Sequence, residues 1–323
     1  MPYFYFFQND KECKWMLSEI NEQYKKYLYG PIAYEEIDAK FKKDIKPYES
    51  KKKFYVILDW VQKKNHQSKD AVRGGNPEWI REMGVNVAQS VKDLPGGAGI
   101  YITGYDSNLL EIEEAKRNDI PIIDNACPWV RRVKNQLLEV NADTHQCVFM
   151  IDTDHMVYEC YKSILPDGTI IISPDNYREE MRKTNGKPIC LIIYAVYRPK
   201  EVQRVIEFID KKFPNENNAL EGYKKTLCCW VHQGILEEIE NKIKEKELNK
   251  IWVVCSSEGD RSTRSVLNEI KENGADCALI KKEEDIPEKI GENDRIGVLL
   301  APVPVPSRIK NILNVISMKF GGK

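Results

Sequence analysis

Nine cysteines stand among the 323 residues, and their settings differ. Cys147, Cys190, Cys255 and Cys277 lie within apolar, strand-like runs such as CVFMI, ICLII and WVVCS. In a reducing compartment a cysteine in that setting is a small buried hydrophobe, and Cys160 reads the same way. Four others are placed for chemistry. Cys13 opens an amphipathic helical run, Cys127 ends a strand-like run just before Pro128, and Cys228 with Cys229 ends another. Proline suits a first helical turn, and a thiol at a helix N-terminus is pushed towards the thiolate that binds metal. The count is odd and the spacing irregular, in a chain too large for a disulfide scaffold. Three such positions, each roughly a hundred residues from the next, converge only if three similar units surround one centre. That geometry suits an iron–sulfur cluster better than structural zinc, whose ligands come in closely spaced pairs.

The elements that must position these thiols follow from periodicity. Strand-length apolar runs alternate with amphipathic helical runs through most of the chain. FYFF precedes CKWMLSEINEQYKKYL, GIYITG precedes NLLEIEEAKRN, and IPIIDNAC precedes PWVRRVKNQLLEVN. CVFMID, TIIIS and ICLIIYAV continue the strands, followed by the helical KEVQRVIEFIDKKF. TLCCWV, IWVVCSS, DCALI and IGVLLAP close the series around two further helices. This is the pattern of a parallel α/β architecture, and its short spacing predicts several small sheets rather than one long one. Residues 40–72 are Lys-rich around an internal strand, FYVILDW, and read as a solvated insertion.

Charge and composition exclude other classes. Lys+Arg number 49 against 50 Asp+Glu, so bulk electrostatics will not hold nucleic acid or anionic lipid. No apolar run approaches the roughly 20 residues of a membrane span. The N-terminal MPYFYFFQNDKECKW lacks a basic n-region and a small-residue cleavage site, so a cytoplasmic protein is expected.

Read together, several stretches resemble the LytB family, the 4-hydroxy-3-methylbut-2-enyl diphosphate reductases of isoprenoid biosynthesis. EEAKRNDIPIIDNACPWVRRVKN is similar to the family stretch around its second cluster cysteine. NPEWIREMGVNVAQSVKDLPGGAGIYITG, IWVVCSSEGDRSTRSVLNEIKENGADCALIKKEEDI and APVPVPSRIKNILNVI resemble further family segments in the same order. The resemblance implies three α/β units in a trefoil around a central 4Fe–4S cluster. The expected units are 10–125 with the 40–72 insertion, 126–225, and 226–323, the last completed by an N-terminal strand in 1–9. It also implies three cluster ligands: Cys13, Cys127, and either Cys228 or Cys229. Ferredoxin or flavodoxin would supply electrons, and the cluster would make the protein oxygen-sensitive, hence anaerobic in handling.

The substrate pocket departs from the family. The first family histidine is here Gly75, ahead of Asn76, and the second is Tyr105. The third survives as His155 if Asp152 replaces another; the family's catalytic Glu then becomes Val157, and Glu159 falls on a second Glu. Ser256 is kept, but its partner Asn becomes Glu258, and a late Ser falls near Pro304. Glu258, Asp152 and Asp154 would oppose a diphosphate at low dielectric. The expected substrate is therefore not the family diphosphate; one carboxylate held by Arg198 or Arg261 fits better. His155, Tyr105 and Glu159 are the candidate catalytic residues. Asn76, Ser256, Glu258 and His232 are the candidate substrate-binding ones. Gln233 follows the cysteine pair closely enough to join them, while Trp129 and Trp230 would shield the cluster. His66 and His145 read as surface residues.

The expectation is a reductase that removes a hydroxyl at an open iron. Two alternatives stay open. One is a genuine 4-hydroxy-3-methylbut-2-enyl diphosphate reductase. The other is an electron carrier or redox sensor, if both Cys228 and Cys229 ligate and leave no open iron.

Overall fold

The computed structural model describes residues 3–6, 54–57, 86–88, 90–104, 109–126, 128–153, 158, 161–194, 196–214, 230–254, 261–291, 293–300, 311–312, 314–316 and 318–319. They form three parallel sheets with helices between the strands. The expected architecture of three small parallel-sheet α/β units is the one observed.

The first sheet contains β2 (Phe54–Ile57), β3 (Asn86–Ala88), β4 (Gly99–Gly104) and β5 (Ile122–Ala126), in the order β3-β2-β4-β5. Helix α1 (Leu109–Arg117) places Ile112 and Ala115 against Ile100. β2 corrects the reading of 40–72 as a solvated insertion. It is an interior strand, paired with β3 on one side and β4 on the other. The lysines flank the FYVI run rather than interrupt it, so a strand of apolar and aromatic residues was free to enter the sheet.

The second sheet, β7-β6-β8, is built from β6 (Gln146–Met150), β7 (Ile170–Ile172) and β8 (Ile189–Ile193). Every residue of β6 and β8 is buried, as expected of a parallel sheet covered on both faces. One cover is α2 (Pro128–Glu139), which buries Val130, Val133 and Leu137 at helical spacing. Another is α4 (Pro199–Lys212), burying Val202, Val205, Ile206 and Ile209. Pro199 opens α4 where a missing N–H costs nothing. A short helix, α3 (Tyr177–Glu180), follows β7; its four residues carry too little periodicity to be read from the sequence.

In the third sheet the order is β1-β11-β9-β10. It joins β1 (Tyr3–Phe6) to β9 (Lys250–Val254), β10 (Asp276–Ile280) and β11 (Arg295–Leu300). β1 pairs in parallel with β11, so the first described strand lies beside the last. Alternation along β9 divides two cores. Ile251 and Val253 face α5 (Trp230–Lys244) and α6 (Arg261–Glu272), while Trp252 and Val254 pack with Ile312 and Ile316. β10 is an edge strand, and its Cys277 is half-buried rather than fully enclosed as the sequence suggested. Gly274, at a φ of 82°, takes the left-handed turn that ends α6.

Candidate functional site

Of the expected site residues, His232 lies among the described ones. Cys13, Asn76, Tyr105, Cys127, His155, Glu159, Cys228, Cys229, Ser256 and Glu258 lie outside them, as do Cys160, Cys255 and His66. Their described neighbours are informative. Position 127 falls between Ala126, the last residue of β5 in the first sheet, and Pro128, the first of α2 on the second core. Position 229 immediately precedes Trp230, the first residue of α5. Neither helix carries an acidic residue in its own first turn to offset the positive end of its dipole. Among the described residues no group of His, Cys, Asp and Glu could itself hold a metal.

His232, in the first turn of α5, is buried, and its Nε2 has no hydrogen-bond partner among the described residues. Burial pushes its imidazole down to about 4; Glu201 pulls the other way, and Arg261 adds to the lowering. His232 is therefore neutral at physiological pH. A buried nitrogen with no partner among the described residues, three positions after Cys229 in sequence, fits a polar group at that place, and cysteines that directly precede two helices in sequence suit an iron–sulfur cluster.

Around His232 lies a buried ionic seam between the second and third units. Asp152 stands two residues past β6, and Tyr197 and Arg198 stand past β8, at the C-terminal ends where parallel sheets gather ligands. Across from them, α6 begins with Arg261. The Arg261 guanidinium lies 4.4 Å over the Tyr197 ring. Its Nη2 is 2.9 Å from Glu201 Oε2, and its Nη1 is 3.6 Å from Asp152 Oδ2. Tyr197 donates its hydroxyl to Asp152 Oδ1 (3.2 Å), and Arg264 donates to Asp152 Oδ2 (3.0 Å). Arg198 donates to Glu272 (2.7 Å) and to Glu201 (3.2 Å), and the Arg198 backbone N–H also reaches Glu201 (3.1 Å). Lys200 pairs with Glu269 and Glu272. Ser265 donates to the Val196 carbonyl across the same seam (2.9 Å).

Four carboxylates (Asp152, Glu201, Glu269, Glu272) thus meet four cations (Arg198, Lys200, Arg261, Arg264). Burial opposes ionisation of Glu201, but Arg261 and Arg198 outweigh it and hold its carboxyl below the usual carboxylate range. Burial, with Asp152 beside it, keeps the Tyr197 phenol protonated far above neutrality.

Two expectations change accordingly. Arg198 and Arg261 do not offer free forks to a substrate carboxylate, because protein carboxylates already pair with them. Nor does Asp152 leave a bare charge against a diphosphate, since two arginines compensate it. Other expectations stand differently. Cys147 and Cys190 are buried, and burial pushes the Cys147 thiol up to about 12, the opposite of an activated nucleophile. Trp129 packs against the second core with Arg132 over its ring. Gln233 is half-buried, as is His145, which pairs with the Thr144 hydroxyl.

Comparison with known proteins sets this arrangement in a family. The family described as LytB protein matches residues 76–316, about three quarters of the chain. This chain belongs to the LytB family. Among curated relatives, 4-hydroxy-3-methylbut-2-enyl diphosphate reductase of Shewanella pealeana is 19% identical over 211 residues, which cover 64% of this chain and 66% of that protein, just under two thirds. The enzyme of the same name from Chromohalobacter salexigens is 24% identical over 225 residues, 68% of each chain. Among solved structures, the E-1-hydroxy-2-methyl-but-2-enyl-4-diphosphate reductase of Plasmodium falciparum superposes with a TM-score of 0.66 at 13% identity. That superposition covers 98% of this chain and 88% of the other. The fold is thus the LytB trefoil of three α/β units.

The seam was missed in reading the sequence of this LytB protein, although one signal was present. Arg261 and Arg264 stand in the first turn of α6, which itself carries no acidic residue, although Asp260 directly precedes it in sequence. Cations are unfavourable at a helix N-terminus, which calls for carboxylates supplied from elsewhere in the fold.

Proposed function

We propose that this LytB protein is an iron–sulfur reductase that removes a hydroxyl, or a similar leaving group, from a small substrate by two-electron reduction. The observation that carries the reading is that residues 127 and 229 directly precede α2 and α5 in sequence, with buried His232 in the first turn of α5, its Nε2 without a hydrogen-bond partner among the described residues. Cys13, Cys127 and one of Cys228 and Cys229 would hold a 4Fe–4S cluster, which when bound supplies the electrons and an open iron for the leaving group. His155 and Tyr105 would deliver the protons that convert a departing hydroxyl to water, with Glu159 as a further acid–base group. Asn76, Ser256, Glu258 and His232 would line the substrate. Electrons would arrive from ferredoxin or flavodoxin in the cytoplasm. Among the described residues no helix is long and apolar enough to cross a membrane.

The substrate we favour is not the diphosphate named for the relatives. Gly75 and Tyr105 stand where the resemblance expects histidines. His232 is held neutral and adds no cation, and the arginines of the seam are already matched by carboxylates. A diphosphate would then bring its charges to a site whose described cations are already matched by carboxylates. The relatives' shared name supports the alternative, the diphosphate reductase itself.

An anaerobic Mössbauer spectrum of the iron-reconstituted protein, with and without 4-hydroxy-3-methylbut-2-enyl diphosphate, tests the proposal. The expected result is a distinct fourth iron site that ignores the diphosphate. A fourth site that shifts with it would restore the relatives' reaction. Four equivalent thiolate-ligated irons would overturn the enzyme reading in favour of electron transfer.

A further inference from the structure

Asp152, Tyr197 and Glu201 come from the ends of two strands of the second unit and the first turn of α4, while Arg261 and Arg264 come from the first turn of α6 in the third. One guanidinium, that of Arg261, touches all three second-unit groups: the Tyr197 ring at 4.4 Å, Glu201 at 2.9 Å and Asp152 at 3.6 Å. The Arg261 and Asp152 side chains are 5% and 8% exposed, so water screens the pair little. His232 sits within the field of the same Arg261 and Glu201 and bonds the backbone at Val196, the residue that also receives the Ser265 hydroxyl.

We infer that Asp152 and Arg261 are positioning residues, an inter-unit clamp that sets α5 and α6 against the strand ends of the second unit and so orients the His232 imidazole. The clamp depends on charge and not only on shape. Tyr197 and Arg264 fix the two oxygens of Asp152, leaving that carboxylate one orientation from which to face Arg261. Its service to substrate binding rests on the reductase reading; the clamp itself does not.

The full chain contains four histidines, so the imidazole resonances of 15N-histidine-labelled protein can be assigned with His232→Gln as the reference. Asp152→Asn, nearly isosteric but uncharged, is expected to shift or broaden the His232 resonance and leave the other three in place. Amide exchange in the first turns of α5 and α6, across the seam from the substitution, should rise about tenfold. Asp152→Glu keeps the charge and should bring exchange back to within about threefold of the parent. Tyr197→Phe removes one hydrogen bond and leaves the ring beneath Arg261; it should move the same signals by a smaller amount and serves if Asp152→Asn does not fold. The clamp is overturned if Asp152→Asn or Tyr197→Phe leaves the His232 resonance unmoved, or if Asn restores what Glu does not, which would mean that the side chain only fills space. None of these readings involves the cluster or a substrate. A failed Mössbauer test would therefore leave the clamp standing, and a failed clamp would leave the reductase reading untouched.

Discussion

The interior of the second unit and the seam beside it lie a few residues apart on the same strands, yet they are built on opposite principles. Along β6 and β8 every position from Cys147 to Met150 and from Ile189 to Ile193 is apolar and buried. Phe149, fully enclosed, meets Tyr161 edge-on at 5.5 Å. Two residues past β6 the chain turns to Asp152, and past β8 to Tyr197 and Arg198, where charge replaces hydrocarbon at almost the same burial. The first region is held by non-directional burial and tolerates any side chain of suitable shape. The second is held by matched ions, whose desolvation is offset only while every partner is present. Stability is thus stored within the sheet, and specificity of unit placement at its C-terminal edge.

Substitutions separate the two regimes, starting with the largest effects. Phe149→Ala removes a fully buried ring and should lower unfolding free energy by about 3–5 kcal/mol, read by urea titration with an unchanged slope. Glu201→Gln should cost a similar amount, about 3–5 kcal/mol, because Arg198 and Arg261 then lose their shared counter-ion. A second change distinguishes them. Adding Arg261→Met to Glu201→Gln should recover part of the loss, since it withdraws the cation left in excess of the remaining carboxylates of the seam. Equal, unrecoverable losses at both places would erase the contrast.

Acid should attack the seam before the sheet. His232 is held at about 4 in the folded protein, against an ordinary value of 6.5. The unfolded chain therefore takes up this proton more readily. Stability is full above pH 6.5 and falls as pH drops towards 4, by as much as about 3 kcal/mol. Glu201, whose folded carboxyl lies below its ordinary 4.5, keeps its contribution above that pH and loses it as pH falls through the lowered folded value. Urea midpoints measured from pH 8 to pH 3 should show both windows, and His232→Gln should flatten the upper one alone. A parent profile flat between pH 6.5 and 4 would show that His232 is not buried in the neutral form.

What the sequence disclosed follows the same division. β6, β8, β9 and α4 were legible because burial imprints a local period, two for a strand and 3.6 for a helix, within a dozen residues. β2 was read as a strand, within FYVILDW, but assigned to a solvated insertion, because its flanks are lysine-rich and its partners, β3 and β4, lie some thirty or more positions away. The seam was illegible for a stronger form of that reason. Asp152 and Arg264 are 112 residues apart, and Arg198 and Glu272 are 74 apart, so no window of sequence contains both members of either pair. The chemistry of Cys13, Cys127, Cys228 and Cys229 was readable from residue type and position, but these residues lie outside the described ones.

The smallest effect sharpens the comparison by removing burial from it. Lys244 and Glu240 form an ion pair one helical turn apart on α5, with side chains 64% and 38% exposed. In water such a pair gains little, because solvent screens the attraction and two long side chains lose freedom to hold one geometry. Glu240→Gln should therefore change unfolding free energy by no more than about 0.5 kcal/mol, and added salt should diminish even that. Glu201→Gln is the same chemical change at a side chain 5% exposed. The ratio of the two losses in one urea series measures what burial does to a charge pair in this fold. A ratio near one would mean that water reaches the seam, and that Arg261 holds Glu201 no more firmly than a lysine holds a glutamate on the surface of a helix.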